Sequence, residues 1–204
     1  MPTDQPADTT RPPDLVNPTT GDRLWFIQTP RGPLDPLVFE CELPPGSHGT
    51  PLHLHTRTGE RFECIEGELS MQLGRHATSL HLKRSEHADV PIGTPHRFWN
   101  ASNHPVRFRS IVTPGAVFEQ FLRSVYALGA AGLAGPSGMP NSPLTLAILR
   151  ELSDLYFAHL PILVQRPLFA ALSALATLTG ARGRLSRLVS NVTPTSRGHF
   201  DPKR

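Results

Sequence analysis

The stretch HLHTRTGE, residues 53–60, places two histidines two positions apart and a glutamate five positions after the second one. Alternate side chains of a β-strand project from the same face, so His53 and His55 point in the same direction. A turn through residues 56–59 would return the chain on a neighbouring strand and bring Glu60 beside them. Three side chains that can bind a metal would then converge.

A second stretch, PIGTPH at residues 91–96, is a turn that ends with a histidine at the start of another strand. On that strand His96 shares a face with Phe98 and Asn100. Imidazoles combined with one carboxylate suit a divalent transition metal such as Fe, Mn, Ni or Zn better than calcium. The sequence therefore predicts one divalent metal ion as cofactor, with four ligands: His53, His55, Glu60 and His96.

The amino-acid sequence around these motifs is typical of an all-β fold. From Gly21 to Pro114, short apolar segments are separated by Gly, Pro, Asn and Ser, and nine of these segments are candidate strands. So many short, closely spaced strands predict a closed or sandwiched β-barrel. The 22 prolines and 16 glycines in the 204 residues agree with a chain of many turns.

Beyond the barrel the apolar residues recur at helical spacing and predict three amphipathic helices, within residues 117–125, 144–155 and 168–178. Ser142 followed by Pro143 predicts a helix start, and Gly180 predicts a helix end. The arginine-rich residues 182–204 are interpreted as solvated. The predicted organisation is a flexible N-terminal arm at residues 1–20, the barrel at 21–114, a helical extension at 115–190 and a tail at 191–204.

The paired motifs resemble those of the cupin superfamily. The first motif is matched by His53, His55, Glu60 and Gly67, and the second by Pro91, Gly93, His96 and Asn100. Ser47 and Ser85 stand where the two motifs usually open with glycine. The resemblance covers roughly residues 36–113 and implies a mainly β fold, a double-stranded β-helix or jelly-roll barrel with a metal at its centre. It also implies frequent homodimerisation.

The resemblance leaves the reaction open, because similar cupins include dioxygenases, decarboxylases, isomerases, cyclases and non-catalytic storage or sensor proteins. We interpret the chain as a metal-dependent enzyme that acts on a small molecule inside the barrel, of the oxygenase type or of the isomerase or cyclase type. Glu60 is the candidate catalytic base as well as a ligand. The alternative is a non-catalytic binding or sensor module with the same metal site.

Several side chains near the motifs are candidates for contacting a substrate. The apolar candidates for lining a pocket are Phe62, Met71, Phe98 and Phe108, although the same residues would suit the core of the barrel. The cationic candidates for binding a substrate carboxylate are Arg97, Arg107 and Arg109, although solvated arginines on the outer face would give the same pattern. Cys41 and Cys64 are interpreted as small buried hydrophobic residues.

Composition limits the classes of partner. The 20 Lys and Arg residues exceed the 17 Asp and Glu residues by only three, so we expect no nucleic-acid partner. Two cysteines are too few for a disulfide framework, and the sequence shows neither an apolar secretory signal nor a membrane-spanning segment. We therefore expect a cytoplasmic homodimer that binds a small molecule and no membrane.

Overall fold

The computed structural model of the chain describes residues 11–76 and 79–192. Within them, eleven strands and four helices form a barrel followed by a helical extension. The strands are β1 (Leu15–Val16), β2 (Arg23–Gln28), β3 (Leu37–Leu43), β4 (His53–His55), β5 (Gly59–Glu66), β6 (Glu68–Leu73), β7 (Ser79–Lys83), β8 (His87–Val90), β9 (His96–Trp99), β10 (Val106–Thr113) and β11 (Leu155–Phe157). The helices are α1 (Phe118–Ala130), α2 (Pro143–Ser153), α3 (Ile162–Leu178) and α4 (Ala181–Val192).

The described strands form two antiparallel sheets. One has the order β1-β2-β3-β10-β5-β8 and the other the order β11-β4-β9-β6-β7. Inward-facing residues of both sheets, among them Phe39, Phe62, Leu69 and Met71, share one hydrophobic core. These two packed antiparallel sheets confirm the predicted jelly-roll fold. The sheets pack together because their inward-facing residues are apolar.

The predicted N-terminal arm differs in part from the structure. Leu15 and Val16 form β1, which pairs with Leu24 and Arg23 of β2. Leu15 is only 5% exposed, because its side chain fills a position in the hydrophobic core. Residues 1–10 of the predicted arm lie outside the described residues.

The three predicted helices correspond to α1, α2 and α3. At the start of α2 the Ser142 hydroxyl accepts a hydrogen bond from the Thr145 amide at 3.4 Å, and Pro143 occupies the first turn, as predicted. The fourth helix, α4, begins at Ala181 and takes up residues 182–192 of the segment that was interpreted as solvated. The many arginines of this segment hid a helical spacing of apolar residues. One of these residues, Leu185, is buried against the other helices.

α3 buries a different face from the predicted one. Leu168 and Leu178 of the predicted stripe are 52% and 84% exposed. The buried face begins at Gln165, because its side-chain amide donates to the carbonyls of Phe157 and Leu160 at 2.8 and 2.9 Å and turns this face inward. Among the described residues no single helix is long and apolar enough to cross a bilayer, and only α3 together with the adjoining part of α4, bent by 75°, passes on length and composition.

The helical extension returns to the barrel after α2. β11 pairs with β4, which places Leu155 opposite His55 and Phe157 opposite His53. The strand that carries two predicted metal ligands is therefore covered by a strand from the extension rather than left as a free edge.

Candidate metal centre

The four predicted ligands converge inside the barrel. β4 supplies His53 and His55, β9 supplies His96, and β5 of the opposite sheet supplies Glu60. His53 lies directly opposite His96 in the pairing of β4 with β9. One ligand atom from each residue can be chosen so that all four atoms lie within 4.8 Å of one another. All four residues are buried.

Backbone carbonyls orient the three imidazoles. Nδ1 of His53 lies 2.8 Å from the Pro51 carbonyl oxygen, and Nδ1 of His96 lies 3.0 Å from that of Thr94. Nδ1 of His55 lies 2.7 Å from the carbonyl oxygen of Ser153, at the end of α2. Each carbonyl accepts the Nδ1 proton, so in the neutral form of each imidazole Nε2 carries the lone pair that a metal would use.

The atoms at the centre of the cluster have only one another as neighbouring polar atoms. Nε2 of His55, Nε2 of His96 and Oε2 of Glu60 are buried and have no hydrogen-bond partner outside the cluster. Oε2 of Glu60 lies 2.6 Å from Nε2 of His96 and 3.7 Å from Nε2 of His55. Buried acceptor atoms that face one another repel unless a cation or a proton lies between them.

Burial and the interaction between Glu60 and the imidazoles shift the pKa values of these four residues. Burial lowers the pKa of His53 well below its usual value and also lowers that of His55, so both imidazoles are neutral at neutral pH. Burial also disfavours the charged form of His96, but the Glu60 carboxylate outweighs it and raises the pKa of His96. Burial opposes the charge of Glu60, yet the neighbouring His55 and His96 lower its pKa to about 2.

The donor set fits a divalent transition metal. Three imidazole nitrogens and a carboxylate oxygen are ligands of borderline softness that suit Fe, Mn, Ni or Zn, whereas calcium prefers six or more oxygens. A cation bound between the buried acceptor atoms would remove the repulsion between them.

A cavity of about 360 Å³ extends from the cluster to the helical extension. Three of the predicted pocket residues, Phe62, Phe98 and Phe108, line it, and their ring centroids lie 5.0–5.9 Å apart. The fourth, Met71, does not reach the cavity. It is fully buried in the core, where it lies opposite Phe98 in the pairing of β6 with β9.

Helices α1 and α2 form the wall of the cavity that lies opposite the barrel strands. α1 contributes residues at helical spacing, namely Phe118, Phe121, Leu122 and Val125, and α2 contributes Leu146, Leu149, Arg150 and Ser153. The ring of Phe118 also contacts the imidazole of His55, with centroids 5.8 Å apart. The extension therefore encloses the space next to the cluster.

The predicted carboxylate-binding arginines lie elsewhere. Arg107 and Arg109 contact the fully buried carboxylate of Glu40, and Arg97 donates to the Gln72 side chain at 3.0 Å. None of the three lines the cavity. The arginine that does line it is Arg150, which the sequence did not single out, because the helical spacing does not reveal which face of α2 meets the barrel.

The second motif owes part of its pattern to backbone geometry. The Gly93 amide donates to the His55 carbonyl at 2.7 Å, and its φ of +82° is one that glycine adopts without strain. The Asn100 side chain donates to the carbonyls of Leu43, Pro44 and His104 at 2.8–3.2 Å. Ser85 has a φ of +71°, a left-handed conformation that glycine adopts with less strain than serine.

Both cysteines are buried free thiols. Cys41 lines the cavity, with its sulfur 3.9 Å from the Tyr126 hydroxyl. Burial raises the pKa of both Cys41 and Cys64, so neither is a thiolate at neutral pH.

Solved structures of known proteins share parts of this fold. An uncharacterised conserved protein with a double-stranded β-helix domain from Klebsiella pneumoniae is 25% identical, with 50% of this chain and 84% of that chain covered and a TM-score of 0.42. KdgF from Halomonas sp. is 18% identical, with 46% and 79% covered and a TM-score of 0.40. The polyketide cyclase RemF from Streptomyces resistomycificus is 23% identical, with 55% and 76% covered and a TM-score of 0.40.

No curated protein matches the chain. The family model described as "Cupin domain" matches residues 39–113. This range contains all four residues of the cluster and nearly all of the central strands, β3 to β10. The similarity to the cupin family therefore covers the part of the chain that holds the cluster, residues 39–113.

Proposed function

We propose that the chain is a metal-dependent enzyme that converts a small, largely apolar molecule bound next to the cluster. The observation that carries this proposal is the direct opening of an aromatic cavity of about 360 Å³ onto the buried acceptor atoms of the cluster. Concave, mostly apolar sites with a few polar groups are the usual sites of small-molecule binding.

His53, His55, Glu60 and His96 would hold one divalent ion. When bound, the ion would supply Lewis-acid chemistry toward an oxygen of the ligand, and redox chemistry if it is iron. The carbonyls of Pro51, Thr94 and Ser153 keep the imidazoles in the tautomer that such an ion requires. The phenylalanines of the cavity exclude water and hold the apolar part of the ligand.

The low pKa of Glu60 favours its role as an anionic ligand over its predicted role as a general base. A carboxyl with a pKa of about 2 holds protons weakly at neutral pH. Glu60 becomes a stronger base only if it moves away from His55 and His96. Oxygenase-type and isomerase- or cyclase-type reactions are both compatible with this arrangement, because they differ in the metal and the substrate rather than in these four residues.

The second candidate function is a binding or sensor module that holds a small molecule without converting it. The same low pKa of Glu60 favours this alternative, since it leaves the cluster without a strong base. Loss of substrate distinguishes the two functions, because a sensor would bind a compound tightly and release it unchanged.

The first experiment is metal analysis by mass spectrometry on protein purified without a histidine tag. We expect about one divalent ion per chain in the wild type and almost none after His53→Ala combined with His96→Ala. The matched control is His87→Ala combined with His104→Ala, which removes two exposed histidines of the same barrel. Equal metal content in all three proteins would refute the site.

The second experiment separates the reaction classes. The metal-loaded protein is incubated with phenolic and enolic compounds, and both compound loss and O2 uptake are followed. Compound loss with O2 uptake supports an oxygenase, and loss without it supports an isomerase or cyclase. Tight binding without loss of any compound supports the sensor module.

A further inference from the structure

Arg150 is the cation of the cavity. Among the described residues that line the cavity it is the only Lys or Arg. It lies on the face of α2 that meets the barrel, one turn before Ser153, whose carbonyl accepts the hydrogen bond from His55. Arg150 is therefore one helical turn from the residue that orients His55.

The guanidinium is positioned by aromatic groups rather than by an acid. Its central carbon lies 4.2 Å from the ring centroid of Tyr156 and 5.8 Å from that of Phe169, and one of its nitrogens donates to the Tyr156 hydroxyl. Tyr156 is itself buried, on the strand that pairs with β4. Stacking on aromatic rings restricts the orientation of the planar guanidinium.

The neighbouring carboxylates are engaged with other groups. Within the described part of the chain no carboxylate lies within ion-pair distance of Arg150. Glu151 pairs with Arg182 at 2.5 Å. Asp154 accepts hydrogen bonds from the amide and hydroxyl of Thr56 at 2.7 and 2.8 Å. Nε of Arg150 is buried and has no acceptor.

We propose that Arg150 binds a carboxylate of the ligand, so that the cavity selects small aromatic or apolar carboxylic acids. This inference rests on the proposed function, because it names the substrate class of that same cavity. One arginine balances the single charge of a carboxylate, and a guanidinium can contact both of its oxygens. In an apolar cavity this charge pairing is stronger than at the protein surface.

The test compares arylcarboxylates with their neutral carboxamides, for example cinnamate with cinnamamide. Binding is measured by calorimetry to the 204-residue chain, from which metal has been removed by a chelator so that a metal cannot bind the carboxylate. We expect the carboxylate to bind at least about tenfold tighter than the amide to the wild type. Turnover is not needed, so this result is independent of whether the chain is an enzyme.

The variants are Arg150→Met, which keeps length and apolar contacts, and Arg150→Lys, which keeps the charge. We expect the preference for the carboxylate to disappear in Arg150→Met and to fall in part in Arg150→Lys. Arg166→Met, at an exposed arginine of α3 outside the cavity, should leave the preference unchanged.

Two outcomes would overturn the proposal. One is equal or weaker binding of carboxylates than of amides by the wild type, including no binding of either; this needs no variant and holds even if Arg150→Met misfolds. The other is an undiminished carboxylate preference in folded Arg150→Met. If the preference is found but no compound is converted, the carboxylate site stands and the proposed enzymatic activity fails.

Discussion

Substitution of Asp154 tests whether the helical extension holds the metal-binding cluster in place. The Asp154 carboxylate accepts hydrogen bonds from the Thr56 amide and hydroxyl, immediately after β4. Its neighbour Ser153 provides the carbonyl that orients His55. Hydrogen bonds to a charged acceptor contribute about 1.5–3 kcal/mol each, and part of this is regained from water when the acceptor is removed. Alanine also tolerates the left-handed φ of 53° poorly. We expect Asp154→Ala to lower the free energy of unfolding by about 3 kcal/mol.

The same substitution should weaken metal binding. Groups that orient a metal ligand typically contribute ten- to a hundredfold in affinity, so we expect a loss of about this size in Asp154→Ala. The assay is a titration of metal-free protein with zinc in competition with a chromophoric chelator. Asp154→Asn keeps one acceptor oxygen and should lose less. Asp89→Ala, which removes an exposed carboxylate paired with Arg61, is the matched control. Unchanged zinc affinity in folded Asp154→Ala would refute the idea that the extension orients His55.

Three further predictions concern the barrel. Asn100→Ala removes the donor to three backbone carbonyls, so urea denaturation should show a free energy of unfolding lower by about 3 kcal/mol; a loss under about 1 kcal/mol would mean that water replaces the amide. Ser85→Gly relieves a left-handed backbone and should raise the free energy of unfolding by about 0.5–1 kcal/mol, whereas a decrease would contradict strain at that turn. Since burial raises the pKa of Cys41 and Cys64, both thiols should resist a disulfide reagent at about pH 8 and react only in denaturant. Rapid modification of the folded protein would contradict their burial.

Local spacing was enough to predict the strands, and the two motifs together predicted which residues form the cluster. The predicted return of Glu60 on a strand next to His53 and His55 is wrong, because β5 lies in the opposite sheet and Glu60 reaches the cluster across the barrel. The period of two along a strand correctly places His53 and His55 on one face. Such features depend on neighbours a few residues away, so the sequence displays them directly. The strands β2 to β10 follow from the same alternation of apolar residues and turn residues.

Features that depend on contacts between distant elements could not be predicted. Ser153 orients His55 through a backbone carbonyl, which any residue type offers, so the sequence carries no signal for it. Arg150 was missed because helical periodicity shows that α2 has two faces without showing which one meets the barrel. Met71 points inward from its strand, as the pocket residues do, but the side chains of the core separate it from the cavity.

The group of acceptor atoms at the centre of the barrel bears on how this chain would evolve. Three lone-pair nitrogens and a carboxylate share a space that in most barrels of this size would be filled with aliphatic side chains. Selection for stability alone would replace them with leucine or valine, because apolar packing is more favourable than unpaired polar atoms. The cluster therefore lowers the stability of the fold in exchange for a site that can bind a cation. Its retention would indicate selection for a function that needs that cation.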